Sequence, residues 1–110
     1  MASPYARVTT PLLAFSPKDV TQKADLVFKG DPGFSEEARQ NNVTGVVRLR
    51  AVLGSNGRVT NIGVVKGLPD GLTERAVYTA RHLLFFPAVK DGRAVSQHIT
   101  LEYNFDIYVE

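Results

Sequence analysis

Two histidines, two adjacent glutamates, a small set of basic residues and one glycine-rich turn are the groups in this sequence whose types suit chemistry. His82 falls within a stretch of helical apolar spacing and His98 at the start of an alternating one. Neither has a cysteine, a second histidine or a serine elbow at the spacing that nucleophilic catalysis or metal ligation needs, so both read as surface or half-buried imidazoles. Glu36 and Glu37 offer two carboxylates, but neighbours on a helix point about 100° apart and cannot converge on one substrate. In a first helical turn they answer the helix dipole instead. Gly54-Ser55-Asn56-Gly57 has the glycines of a phosphate loop but not the lysine and helix that follow one, and reads as a hairpin turn. Arg48 and Arg50, with Lys66, can meet an anion or an RNA backbone, yet no aromatic residue is interleaved to stack bases, and a solvated sheet face accounts for them. No catalytic residue, cofactor or metal site is assigned, and no enzymatic activity is expected.

The whole composition agrees with a small binding or structural domain. A chain of 110 residues with 44% hydrophobic content has material for one core and none to spare for a second. Thirteen Lys and Arg against 11 Asp and Glu give a net charge of +2 without a run of like charges, which argues against a nucleic-acid partner. With no cysteine there is no disulfide framework and no thiolate metal site. No apolar run reaches the roughly 20 residues that span a bilayer, and Met1-Ala2-Ser3 does not read as a signal peptide. Any anchor or export signal is expected outside this piece.

The elements that must position these groups follow from periodicity. Residues 1–23, punctuated by Pro4, Pro11 and Pro17, read as an extended arm or linker, and residues 24–110 as the domain. Ala24–Lys29 alternates weakly and predicts a short additional strand before the Gly30-Asp31-Pro32-Gly33 turn. Ser35 ahead of Glu36 and Glu37 predicts a capped short helix, with Asn41-Asn42 as its left-handed exit. From Gly45 the period is two: Val47, Leu49, Ala51 and Leu53 face one way, Arg48 and Arg50 the other. Asn56-Gly57, with positive φ at both positions, predicts a two-residue hairpin to a strand over Arg58–Lys66 with Ile62 and Val64 inward. Leu72, Ala76, Ala80 and Leu83 or Leu84 line one face of a second helix, which Asp70 can cap and Pro87 must end. After an Asp91-Gly92 turn, residues from Val95 to Tyr108 alternate, with Ile99, Leu101, Tyr103, Phe105 and Ile107 on one side.

The order helix, strand, strand, helix, strand predicts an α+β fold of two layers. Its three-stranded antiparallel sheet has the second hairpin strand outermost, the first in the centre and the final strand on the other edge, with both helices on one face. An open edge of this kind presents unpaired backbone N–H and C=O groups that accept an extended peptide as a further strand. The same edge can instead pair with its twin, so a structural homodimerisation or interaction module of a larger protein is the alternative.

Five motifs in order resemble a known family. They are Pro32-Gly33-Phe34-Ser35-Glu36-Glu37-Ala38-Arg39, Val43-Thr44-Gly45-Val46-Val47, Asn56-Gly57-Arg58-Val59, Leu72-Thr73-Glu74-Arg75-Ala76, and Phe85-Phe86-Pro87-Ala88 followed by Asp91-Gly92-Arg93-Ala94-Val95. Together they are similar to the C-terminal domain of TonB-type energy transducers, from about Asp31 to Tyr108. The chain departs from the family where an aromatic residue is usually followed by proline, since Ser35 follows Phe34 here. The resemblance implies a periplasmic domain of a protein anchored in the bacterial inner membrane, where a motor complex is reached through an N-terminal part. It implies capture of the TonB box, a plug-domain segment of outer-membrane transporters, by strand addition, with transmission of force for nutrient uptake. Carried onto this chain, the partner-binding strand is Gln97, His98, Ile99, Thr100, Leu101, Glu102, Tyr103, Asn104 and Phe105, with Arg39, Gln40 and Asn41 at the first-helix exit alongside.

Overall fold

A computed structural model describes residues 14–106. The first thirteen residues of the expected arm, and Ile107 and Tyr108 of the expected last strand, lie outside the described residues. After a 3-10 turn at Pro17–Asp19 the elements are β1 (Asp25–Phe28), α1 (Glu36–Gln40), β2 (Gly45–Leu53), β3 (Val59–Lys66), α2 (Leu72–Arg81), β4 (Leu84–Phe86), β5 (Ala88–Lys90), β6 (Arg93–Val95) and β7 (Gln97–Phe105). The main sheet is antiparallel in the order β3-β2-β7, so β7 stands on an edge as the order of elements predicts.

The β2–β7 register runs unbroken from Gly45 opposite Phe105 to Leu53 opposite Gln97. Because side chains alternate between faces, the odd-numbered positions of both strands share one face. Val47, Leu49, Ala51, Leu53, Leu101, Tyr103 and Phe105 are all buried there. Ala38 of α1 and Leu72, Ala76 and Ala80 of α2, with Leu83 just beyond it, complete the same cluster, which puts both helices on that face. Alanines at Ala38, Ala76 and Ala80 leave no side-chain bulk between helix and sheet, and each fully buried Leu or Val contributes about 1.5–3 kcal/mol. On the opposite face the even-numbered Arg48, Arg50, His98, Thr100, Glu102 and Asn104 are exposed.

Four local expectations are corrected. The hairpin loop has three residues: Gly57 alone takes positive φ (86°), Gly57 N donates to Gly54 O, and Gly54 N donates to Arg58 O. This is a turn closed by a glycine bulge, stabilised by Asn56 Oδ1 accepting from Arg58 N at 3.0 Å. The two-residue turn with positive φ at both positions occurs instead at Asp91 (51°) and Gly92 (82°), joining the short β5–β6 hairpin. In β3, a register shift relative to β2 around a left-handed Asn61 (φ 54°) puts Val59 and Ile62, three apart, on the core. Val64 keeps the face of Ile62, in register with Leu49, but on the outer strand it is 49% exposed rather than packed inward.

Third, Asp70 does not cap α2. It takes φ 59° ahead of a left-handed Gly71, and its Oδ2 accepts from Asn41 Nδ2 at 2.9 Å. The α2 entry is tied instead by Thr73, whose Oγ1 accepts from Leu68 N and donates to Leu68 O, both at 2.8 Å. Fourth, α2 stops at Arg81, short of Pro87; of Leu83 and Leu84 the first joins the core, and Leu84 pairs in β4 with β1, an antiparallel ribbon apart from the main sheet in which Leu26 and Phe85 face the core. The short strand expected over Ala24–Lys29 therefore forms, but not on the β7 edge.

The difference between central and outer strand gives a contrast that equilibrium denaturation measures. Leu49→Ala is expected to cost about 3 kcal/mol, as for a fully buried leucine left as a cavity. Val64→Ala, opposite Leu49 but half exposed, is expected to cost under about 1 kcal/mol. Equal losses would mean that Val64 is packed as plain alternation predicts.

Candidate functional site

Two hydrogen bonds establish which way the backbone of β7 points. Phe15 N donates to Ser96 O at 2.9 Å and His98 N donates to Phe15 O at 3.0 Å, both from the side away from β2. Since successive residues of a strand direct their N–H and C=O to opposite sides, the groups of His98, Thr100, Glu102 and Asn104 point outward. Those of Gln97, Ile99, Leu101, Tyr103 and Phe105 point at β2, opposite Leu53, Ala51, Leu49, Val47 and Gly45. The nine-residue strand thus divides cleanly: its odd members hold the fold by backbone and side chain alike, and its even members carry the edge.

The outward row is partly engaged from within the chain. Gln97 Nε2 donates to His98 O at 3.2 Å while its Oε1 accepts from Ala24 N at 2.9 Å, which explains a buried glutamine at the strand start. Lys29 Nζ donates to Glu102 O and lies 4.9 Å from the centre of the Tyr103 ring. Burial pushes the Tyr103 phenol above its ordinary pKa. Across the wet face Arg48 and Glu102, directly paired in register, meet at 2.7 Å with both side chains nearly half exposed. Such a pair contributes a few tenths of a kcal/mol and takes Arg48 out of the basic set considered for an anion. Among the described residues no other backbone group bonds the N–H of Thr100, Glu102 or Asn104.

The first-helix exit residues divide. Arg39 lies 5.4 Å from the centre of the Phe34 ring, and Phe34 meets Phe105 edge to face at 5.6 Å. With Asp31, Gly33, Asn104 and Asp106 they line a cleft of about 460 Å³ at the end of β7. Gln40 and Asn41 turn away, to Glu36 (3.4 Å) and Asp70 (2.9 Å). The corner is set by Ser35, whose Oγ accepts from Ala38 N at 3.0 Å and donates to Asp70 O at 2.6 Å. Where an aromatic-proline pair would stiffen this turn, the serine joins it to the start of α2. Phe15 and Lys29 are the edge residues that sequence reasoning missed. Nothing in their spacing marks them, because both reach β7 across more than 70 residues of chain. Among the described residues no cluster of His, Asp and Glu is arranged to hold a metal.

The double role of Ser35 is measurable. Ser35→Ala removes a cap and leaves Asp70 O without that donor, and is expected to lower unfolding free energy by about 1–2 kcal/mol in urea. A loss within about 0.3 kcal/mol would show that the corner is held by other contacts.

Residues 31–107 match the family described as Gram-negative bacterial TonB protein C-terminal. Protein TonB of Klebsiella aerogenes is 29% identical over 76 residues, covering 69% of this chain. The chain spans about a third (31%) of that relative's length. Two solved structures share the fold. A Pseudomonas aeruginosa TonB C-terminal domain has a TM-score of 0.64 at 24% identity, covering 86% of this chain and 95% of its own. A Helicobacter pylori TonB C-terminal domain has a TM-score of 0.52 at 19% identity, covering 72% of each chain.

Proposed function

Because this chain belongs to the Gram-negative bacterial TonB C-terminal family, we propose that it is the periplasmic, peptide-capturing end of a TonB-like energy transducer. The observation that carries the reading is the outward backbone row of β7, whose Thr100, Glu102 and Asn104 N–H groups have no backbone partner among the described residues. An extended plug-domain segment of an outer-membrane transporter, the TonB box, adds as a fourth strand beside them. Each backbone bond contributes about 0.5–1.5 kcal/mol net, so affinity depends on pairing along the row more than on any one side chain.

The sheet suits transmission of force. Load applied to the captured strand passes to β7 and from it, through an unbroken ladder, to the central strand β2. Arg39, Phe34 and Asn104 around the terminal cleft receive a side chain of the peptide beyond the last rung. No helix among the described residues is long and apolar enough to cross a membrane. In this reading the inner-membrane anchor and the contacts with the motor complex belong to the N-terminal part of a longer protein, and the domain works without catalysis.

Titration with a synthetic transporter plug peptide, followed by backbone amide shifts, tests the reading, with shifts expected to cluster from His98 to Asn104. Thr100→Pro deletes an outward donor and no β2 partner, so it is expected to weaken binding about twofold to tenfold with the fold intact. Ile99→Pro deletes a donor facing β2 and is expected to destabilise the domain itself. Peptide binding by Thr100→Pro at wild-type affinity, or shifts confined to α2, would remove β7 as the site.

A further inference from the structure

The arm ahead of β1 meets the β7 edge by a single rung and then leaves it. Phe15 pairs in parallel with Gln97, through Phe15 N to Ser96 O and His98 N to Phe15 O. A parallel ladder advances two residues at a time, so its next donor to His98 O would be the N–H of residue 17. That residue is proline, which has none. Gln97 Nε2 donates to His98 O in its place, and at Pro17 the chain enters the 3-10 turn Pro17–Asp19. It departs towards β5, where Thr21 N and Gln22 N both donate to Val89 O and Val89 N returns a bond to Gln22 O. Pro17 remains beside the strand, lining a depression of about 250 Å³ with Arg50, His98, Ile99 and Thr100.

From this we propose that the arm is a self-terminating plug on the peptide site: Phe15 blocks the first outward position of β7, and Pro17 stops the arm from zipping along the rest. The proposal rests on β7 as the peptide-binding edge and adds how access to it is regulated. An incoming strand starts on the open groups at Thr100 to Asn104 and extends towards His98 by displacing Phe15. Lys29, bonded to Glu102 O, yields at the same time. A plug of one rung keeps the edge from indiscriminate pairing yet exchanges readily, whereas an arm zipped through Thr100 would close the site. The apparent affinity for peptide is the intrinsic affinity reduced by the fraction of molecules with the arm released.

Two full-chain variants should move that fraction in opposite directions. Phe15→Pro removes the donor to Ser96 O, one of the two bonds of the rung, and loosens the arm's hold on the edge. Pro17→Ala restores the missing donor and lets the ladder continue. With a fluorescent plug peptide, Phe15→Pro is expected to bind about threefold to tenfold tighter than wild type, and Pro17→Ala at least threefold weaker. Amide hydrogen exchange reads the arm without any peptide: His98 exchanges faster in Phe15→Pro, and Thr100 gains protection in Pro17→Ala. If peptide binds at β7 and neither variant alters its affinity, or both alter it in the same direction, the plug is overturned while the peptide site stands. If no peptide binds even to Phe15→Pro, with its amide spectrum showing a folded domain, the edge reading fails and the plug with it.

Discussion

The unbroken pairing of β2 with β7 is the constraint on which the rest of the molecule depends. Nine register pairs without a bulge fix two strands so that their odd positions form one continuous apolar surface. A slip of β7 by one residue would turn Leu101, Tyr103 and Phe105 to water and Thr100, Glu102 and Asn104 into the core, which makes any other register strongly unfavourable. The β2–β3 pair tolerates two register shifts because its outer strand contributes only Val59 and Ile62 to the core. The same ladder that gives stability also creates the edge. By using one side of β7 completely, it leaves the other side as a row of donors and acceptors with a fixed spacing.

The two helices are held to that surface by different means. α2 buries a stripe of Leu72, Ala76 and Ala80 and continues into Leu83, so its hold is mainly hydrophobic. α1 is only five residues long and cannot be stable by itself. Polar contacts with the start of α2 fix it: Ser35 to Asp70 O, and Asn41 to the Asp70 carboxylate. This explains why Asp70 and Gly71 adopt left-handed conformations (φ 59° and 83°), since the turn serves a neighbouring helix rather than capping its own. Through that corner Phe34 reaches Phe105, and a stability contact becomes the wall of the cleft at the end of β7.

An exposed strand edge invites unwanted pairing, and the chain manages it with contacts that hold without closing. Glu102 on the edge strand is drawn onto the wet face by Arg48, Lys29 covers one carbonyl, and the arm covers the first position. Each is weak alone. In the proposed function, a partner that pairs through several rungs outcompetes them together, which favours a ligand of defined length over random strands.

How much of this was legible follows from the range of each interaction. Strict alternation in 45–53 and 97–105, helical spacing at Leu72, Ala76 and Ala80, and Ser35 before two glutamates are local patterns, and local patterns determine element type and the buried face. They were enough for the α+β class, the strand order and the edge position of β7, and the ordered motifs were enough for the family. The loop around Asn56-Gly57 was misread because Asn56 keeps to the usual backbone region once its side chain bonds Arg58 N, a choice that composition does not reveal. Val64 lies in register with core-facing Leu49, yet on the outer strand it is half exposed, and alternation fixes the face a side chain takes, not how far that face is covered. The direction of each backbone group on β7, the cleft at Arg39, and the contacts of Phe15 and Lys29 with the edge were decided by the tertiary structure alone. They join residues far apart in the chain, and only the completed sheet brings such residues within hydrogen-bonding distance.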